Sequence, residues 1–129
     1  MGTGAISWSS KLQPVVALST TEAEYIAAVE AGKEIAWMRN ILGEFGYKFT
    51  SPSTLFIDNQ SAIAVAKNPE HHGKMKHLRL RFYWLRDSVE SGLIVPKHIA
   101  TADMPADILT KPLSRAKVEV CWRLMGLEP

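Results

Sequence analysis

An α/β fold with at least one parallel strand pair is predicted by three features of these 129 residues. Short apolar segments of strand length alternate with longer segments of helical period. Capping signals stand at the start of several helical segments, and glycine or proline stands at their ends. The resulting order, β-β-α-β-α-α-β-α-α, requires a crossover between strands, which is the signature of the α/β class.

The first two strands are expected over Ala5–Ser9 and Val15–Leu18, joined by the turn Lys11-Leu12-Gln13-Pro14. Ser19-Thr20-Thr21-Glu22-Ala23-Glu24 contains two overlapping capping boxes, Ser19 with Glu22 and Thr21 with Glu24. A helix is therefore predicted from Thr21 to Leu42, stopped by Gly43 and Gly46. Thr54–Ile57 reads as a buried strand. Asp58-Asn59 caps a helix over Ser61–Lys67, which Asn68-Pro69 ends. Leu78, Phe82, Leu85 and Val89 recur at helical spacing up to Gly92. Leu93–Ile99 is a further strand, pushed towards a sheet edge by Pro96. Pro105 opens a short helix, and Ser114–Met125 supplies the last one.

Composition bounds the function. Apolar residues are 47% of the chain and charged residues 22%, enough for one packed domain. The formal charge of +2 excludes a polybasic or polyacidic strategy for the chain as a whole, though not a local patch. A lone cysteine, Cys121, excludes a disulfide scaffold. No apolar run approaches the roughly 18–20 residues that span a bilayer, and the first residues lack the pattern of a signal peptide. An intracellular protein without a membrane partner is expected, in the cytoplasm, a particle or the nucleus. Ser9 and Ser10 lack a nucleophile-elbow context, and the four histidines match no zinc spacing.

Three acids stand where chemistry can be placed. At 100° per residue, Glu24, Ala28, Ala31, Ile35, Met38 and Leu42 fall within about 40° of one line, so a carboxylate heads an apolar stripe. Glu22 points to the opposite side, which also carries Ile26, Val29 and Trp37. Asp58 leaves a buried strand, the position where α/β proteins collect ligands. Asp107 follows Asp103-Met104-Pro105-Ala106. Each has an alternative reading: Glu24 as a first-turn acid, Asp58 as a helix cap, and Asp107 as an N3 acid behind an Asp103 cap and Pro105 at N1. Clustered carboxylates are also how hard divalent cations are held for phosphodiester cleavage.

Five ordered runs carry a resemblance: Ile-Ser-Trp-Ser-Ser-Lys (6–11), Ala-Leu-Ser-Thr-Thr-Glu-Ala-Glu-Tyr (17–25), Asp-Asn-Gln-Ser-Ala-Ile (58–63), Lys-His-Leu-Arg-Leu-Arg (76–81) and Ala-Asp-Ile-Leu-Thr-Lys-Pro-Leu (106–113). Together they resemble the ribonuclease H domain of copia-type retrotransposon Pol polyproteins over residues 4–113. The resemblance implies an RNase H-like domain over residues 1–113, with a mixed sheet flanked by helices, followed by a C-terminal helical tail over 114–129. It implies hydrolysis of the RNA strand of RNA–DNA hybrids by two Mg²⁺ ions, with Mn²⁺ as a substitute, held by four carboxylates. The second, third and fourth of these match Glu24, Asp58 and Asp107; Asp103 fits the fourth role less well.

The first family acid lies on a central first strand that has no match here. The resemblance therefore implies an incomplete sheet, with weak or lost cleavage. A vacated strand position leaves backbone groups unmet, at about 1–3 kcal/mol for each buried one. The sheet is expected to rearrange or to exchange strands in a homodimer. A remnant that binds nucleic acid or self-associates without cleaving is the competing expectation.

Between Lys67 and Arg86 there are six basic residues and one acid, Glu70, a local balance of +5. Lys74, Lys76, His77, Arg79 and Arg81, followed by Tyr83 and Trp84, suit a phosphate backbone with some stacking. Read alone, the same pattern equally describes a solvated helix face over aromatic core positions. The resemblance favours contact with a hybrid or another nucleic acid.

Overall fold

The computed structural model describes residues 4–68 and 79–127, with the side chain of Arg79 outside the description. The elements in order are α1 (Thr20–Glu44), β1 (Ser53–Ile57), α2 (Gln60–Lys67), α3 (Arg79–Glu90), β2 (Ile94–His98), two 3₁₀ turns (Thr101–Asp103 and Pro105–Leu109) and α4 (Arg115–Leu124). The α/β expectation and its parallel pair are met: β1 and β2 form a two-stranded parallel sheet with Ser53 opposite Ile94 and Ile57 opposite His98.

Two expected strands do not form. Ala5–Ser9 and Val15–Leu18 carry no strand pairing, so among the described residues the sheet is parallel rather than mixed. Short apolar-rich segments make a strand only where a partner ladder exists, because an isolated extended segment gains no hydrogen bonds on ordering. Val15 and Ala17 nevertheless pack on the core, while Val16 and Leu18 face outwards.

The chain divides into two compact units, residues 13–98 and residues 1–12 with 99–129. In the first, α1 begins where its capping box predicts. Ser19 Oγ accepts from Glu22 N–H at 3.1 Å, and Glu22 Oε2 accepts from Leu18 N–H at 2.6 Å. The helix runs through Gly43 and stops at Gly46, whose φ of 86° closes a Schellman cap with Tyr47 N–H on Leu42 O. Gly92, φ 74°, ends α3 in the same way, with Leu93 N–H on Ser88 O, and turns the chain directly into β2.

Leu55 and Ile57 are buried under the helices, whereas Thr54 and Phe56 lie on the exposed face of β1. The core joins these to Tyr25, Ile26, Val29, Ala62, Ala66, Phe82, Leu85 and Ile94. Tyr25 stacks on Phe82 with ring centroids 4.3 Å apart, and its hydroxyl donates to Phe82 O at 3.1 Å. Arg39 ties the end of α1 to β1: its Nη1 donates to Ser51 O and Ser53 Oγ, both at 3.0 Å, while the guanidinium lies 4.2 Å from the Phe49 ring centroid.

In the second unit, Ser114 caps α4, and Ser10 Oγ donates to Leu109 O at 2.9 Å. Cys121 is the only described residue of that unit that is buried, as expected for an inert thiol. The short helix at Pro105 is a 3₁₀ turn, and its N-cap is Met104 with no side-chain bond. The expected Asp103 cap is absent because Asp103 closes the preceding 3₁₀ turn.

The helix crossing at Gly32 is the tightest point of the core. A Cβ there would lie 3.0 Å from Trp84, 3.1 Å from Ile94 and 3.3 Å from Leu85, three side chains from α3 and β2. Gly32→Leu is therefore expected to destabilise the fold by about 1–3 kcal/mol, measured by urea unfolding. Wild-type stability in that variant would show that the crossing can open at no cost.

Candidate functional site

Each acid is positioned by a different element. Glu24 lies in the first turns of α1 and is half-buried. The apolar stripe expected beneath it is met in part: Ala28 is buried and Ile35 packs on the core, but Ala31 is exposed, and the buried face of α1 widens to Glu22, Tyr25, Ile26, Val29 and Gly32. Glu24 stands at the margin of that face, and Glu22, only 1% exposed, lies inside it. The cause is local. Glu22 is spent on the N-terminal cap, and the small Gly32 selects which side of the helix meets α3.

Asp58 is the first residue beyond β1 and is half-buried. Capping of α2 falls to its neighbour: Asn59 Oδ1 accepts from Ala62 N–H at 2.9 Å. The structural alternative for Asp58 is thereby taken by another residue. Among the described residues, no hydrogen bond or ion pair is made by the Asp58 carboxylate. It directly precedes Asn59, the N-cap of α2. Its neighbour Ile57 and the Tyr25-Ile26 pair beside Glu24 belong to one core cluster, so both acids flank the same packed unit.

Asp107 belongs to the other unit, on the 3₁₀ turn Pro105–Leu109. Its carboxylate accepts from Lys111 Nζ at 2.8 Å, an i,i+4 ion pair with Asp107 14% and Lys111 51% exposed. An exposed lysine of this kind holds its partner by at most about 1 kcal/mol. The structure thus brings Glu24 and Asp58 into one unit and Asp107 into the second. Among the described residues, no group of three acid, histidine or cysteine side chains is assembled to hold a metal ion.

The basic segment is only partly visible. Lys74, Lys76 and His77 lie outside the described residues, and Arg79 opens α3 with its side chain undescribed. Arg81 is half-buried, and its Nη1 is buried with no acceptor among the described residues. The two aromatics that follow separate in role. Tyr83 is 54% exposed. Trp84 packs into the crossing at Gly32, so much of its ring is committed to the core. Both line an open depression with Arg86, Asp87 and Glu90, where Arg86 Nε donates to Glu90 Oε1 at 2.8 Å.

Sequence reasoning missed the buried polar centre of the fold, Tyr25. Burial pushes its phenol well above the ordinary value of 10.0, while the Arg86 guanidinium draws it the other way. The signal was present in the core-facing period of α1, between the two sides assigned to Glu24 and Glu22.

The chain is similar to proteins encoded by plant transposons. It is 47% identical over 124 residues to the retrovirus-related Pol polyprotein from transposon TNT 1-94 of Nicotiana tabacum, covering 96% of this chain and 9% of the polyprotein. It is 39% identical over 127 residues to the corresponding polyprotein from transposon RE2 of Arabidopsis thaliana, covering 98% of this chain and 9% of that protein. Transposon RE1 of the same plant gives 41% over 115 residues, or 89% of this chain and 8% of the polyprotein. Its relatives are thus retrovirus-related Pol polyproteins of plant transposons, and the chain spans less than a tenth of their length. No family model and no solved structure matches the chain. Among the described residues, no helix is long and apolar enough to cross a membrane.

Two measurements probe this arrangement. Asn59→Ala is expected to lower stability by about 1 kcal/mol through loss of the α2 cap, whereas Asp58→Asn should stay within about 0.5 kcal/mol of wild type. Equal losses in chemical denaturation would mean that Asp58 also carries structure. For Tyr25 the sign follows from a raised folded-state value: the unfolded chain ionises first. Its contribution is complete below about pH 10 and declines as pH rises towards the folded value. Tyr25→Phe should flatten the alkaline fall in stability, and an unchanged slope would remove Tyr25 as its source.

Proposed function

We propose that this chain is the ribonuclease H-type portion of a copia-type retrotransposon Pol polyprotein. Glu24, Asp58 and Asp107 are its contribution to hydrolysis of the RNA strand of RNA–DNA hybrids. The observation that carries the reading is the position of Asp58. A carboxylate at the exit of a parallel strand, with helix capping performed by Asn59, supports a chemical role for Asp58. The similarity to transposon Pol polyproteins over nearly the whole chain supports the assignment.

Hard carboxylate donors suit Mg²⁺ or Mn²⁺, which in two-metal hydrolysis activate water and stabilise the leaving oxygen. The described residues do not assemble such a centre by themselves, since no group of three donors is present among them. The roles left to this chain are therefore partial. Glu24 and Asp58 present anionic oxygens from one unit, and Asp107 presents one that must first exchange its Lys111 partner. A misplacement of about an ångström already costs on the order of a hundredfold in rate. Cleavage by the 129-residue chain is accordingly very weak or absent.

The local balance of +5 over Lys67–Arg86 favours a second reading, a module that binds nucleic acid without cutting it. Lys74, Lys76, His77, Arg79 and Arg81 are then the contact residues. Such binding weakens steeply as salt releases the counterion gain. The cellular setting in both readings is intracellular, in the cytoplasm, a transposon particle or the nucleus.

A labelled RNA–DNA hybrid incubated with the chain and Mg²⁺ or Mn²⁺ tests both. The expected result is little or no cleavage, with salt-sensitive binding retained. Robust turnover abolished by Glu24→Gln or Asp58→Asn would establish an active nuclease and contradict the predicted weakness. Turnover indifferent to Glu24, Asp58 and Asp107 would remove these acids from the chemistry.

A further inference from the structure

Arg81 is a cation without a counterpart among the described residues. It is half-buried, its Nη1 is wholly covered, and its guanidinium makes no hydrogen bond or ion pair with any of them. A charge withdrawn from water is ordinarily paired, because leaving it buried alone is costly. Arg39 and Arg86 of the same unit follow that rule, the first bonded to Ser51 and Ser53 and the second to Glu90. Arg81 also stands apart from the solvent-facing side of α3. At 100° per residue it falls close to the line of Leu85 and Ser88, both buried, and about 160° from the exposed Tyr83. The residue as a whole is only half-buried, so its position can be reached from solvent.

The connection of α3 to β2 brings Arg81 to the end of the unit where Asp58 lies. Leu93 N–H on Ser88 O turns the chain from α3 directly into β2, so the strand doubles back along the helix. The rise from Arg81 to Glu90 is about 13 Å, and that from Ile94 to His98 is about the same. Arg81 is therefore level with His98, which stands opposite Ile57, and Asp58 follows Ile57. The bond from the Tyr25 hydroxyl to Phe82 O pins the start of α1 to the same end, and Glu24 directly precedes Tyr25. We propose that Arg81 binds a phosphate oxygen of the nucleic-acid strand lying at the Asp58 end of this unit. The inference rests on the ribonuclease H-type reading and adds to it a cationic, substrate-binding residue that faces inwards. A phosphodiester suits the position, since it carries one negative charge and two free oxygens that a planar guanidinium can hold together. The local balance of +5 between Lys67 and Arg86 favours a polyanion as the source of that phosphate.

Binding of a labelled RNA–DNA hybrid to the full chain, measured in EDTA so that no cleavage intervenes, tests this with Arg81→Met and Arg81→Lys. Arg81→Met keeps an unbranched stem and removes the charge. Its affinity is expected to be at least about tenfold weaker, with the slope of log affinity against log salt smaller by about one. Arg81→Lys should recover part of the loss, because lysine keeps the charge but not the fork. Stability supplies a readout that a structural role would reverse. A buried cation without a partner adds nothing favourable to the fold, so Arg81→Met should unfold in urea at the wild-type midpoint or above it. In nitrogen-15 spectra of the wild type, the Arg81 Nε–H signal should move when the hybrid is added. Wild-type affinity in Arg81→Met overturns the proposal, as does a wild-type chain that binds no hybrid or an Nε–H signal that the hybrid leaves in place. A urea midpoint lowered by Arg81→Met overturns it as well and makes Arg81 a structural residue. Cleavage in Mg²⁺ and its dependence on Glu24, Asp58 and Asp107 are read separately, so normal binding by Arg81→Met leaves the nuclease reading standing.

Discussion

The pairing of one five-residue strand, β1, with β2 is the constraint on which the larger unit depends. Leu55 and Ile57 bring the sheet into contact with the helices, and the ladder to β2 fixes where the crossover through α2 and α3 must return. The same strand ends at Asp58, so the geometry that organises the core also delivers a carboxylate to the margin of the unit. Parallel pairs of this kind depend on helices to cover them, because their connections lay helices on the sheet. Here the cover is α1, α2 and α3, locked by the Tyr25–Phe82 stack and by the close approach at Gly32.

Much of this frame was legible in the sequence, where local chemistry decides. The Ser19–Glu22 box, the Asp58-Asn59 start of α2, the Asn68-Pro69 stop and the Gly92 turn each act within a few residues, and each element boundary falls near its signal. The illegible parts depend on partners distant in the chain. Ala5–Ser9 and Val15–Leu18 are apolar-rich as strands would be, yet composition cannot supply the neighbouring ladder that makes one. The rotation of α1 about its axis was also beyond periodicity, since apolar residues occur on both of its sides. Gly32, the smallest side chain, marks the contact line, and counting hydrophobic residues gives it no weight.

The acids show the same division. Asp58 was placed at a strand exit by sequence reading, and the structure adds that Asn59 performs the capping. Glu24 was placed on the core face, and the structure moves it to the margin because Glu22 is held in the cap. Asp107 stands in the other unit in an ion pair with Lys111, a partner that a cation would have to displace. The similarity to transposon Pol polyproteins concerns proteins more than ten times longer than the region they share with this chain. The function proposed here is accordingly a contribution of side chains to a larger chemistry.

The importance of the β1–β2 pair is tested most directly by residue-resolved amide hydrogen exchange on the full chain. The register directs the Leu55 and Val95 amides into the ladder, so both should exchange only through global unfolding and rank among the slowest in the molecule. Exchange of these two amides as fast as those of the exposed segment from Ile6 to Leu12 would contradict the account.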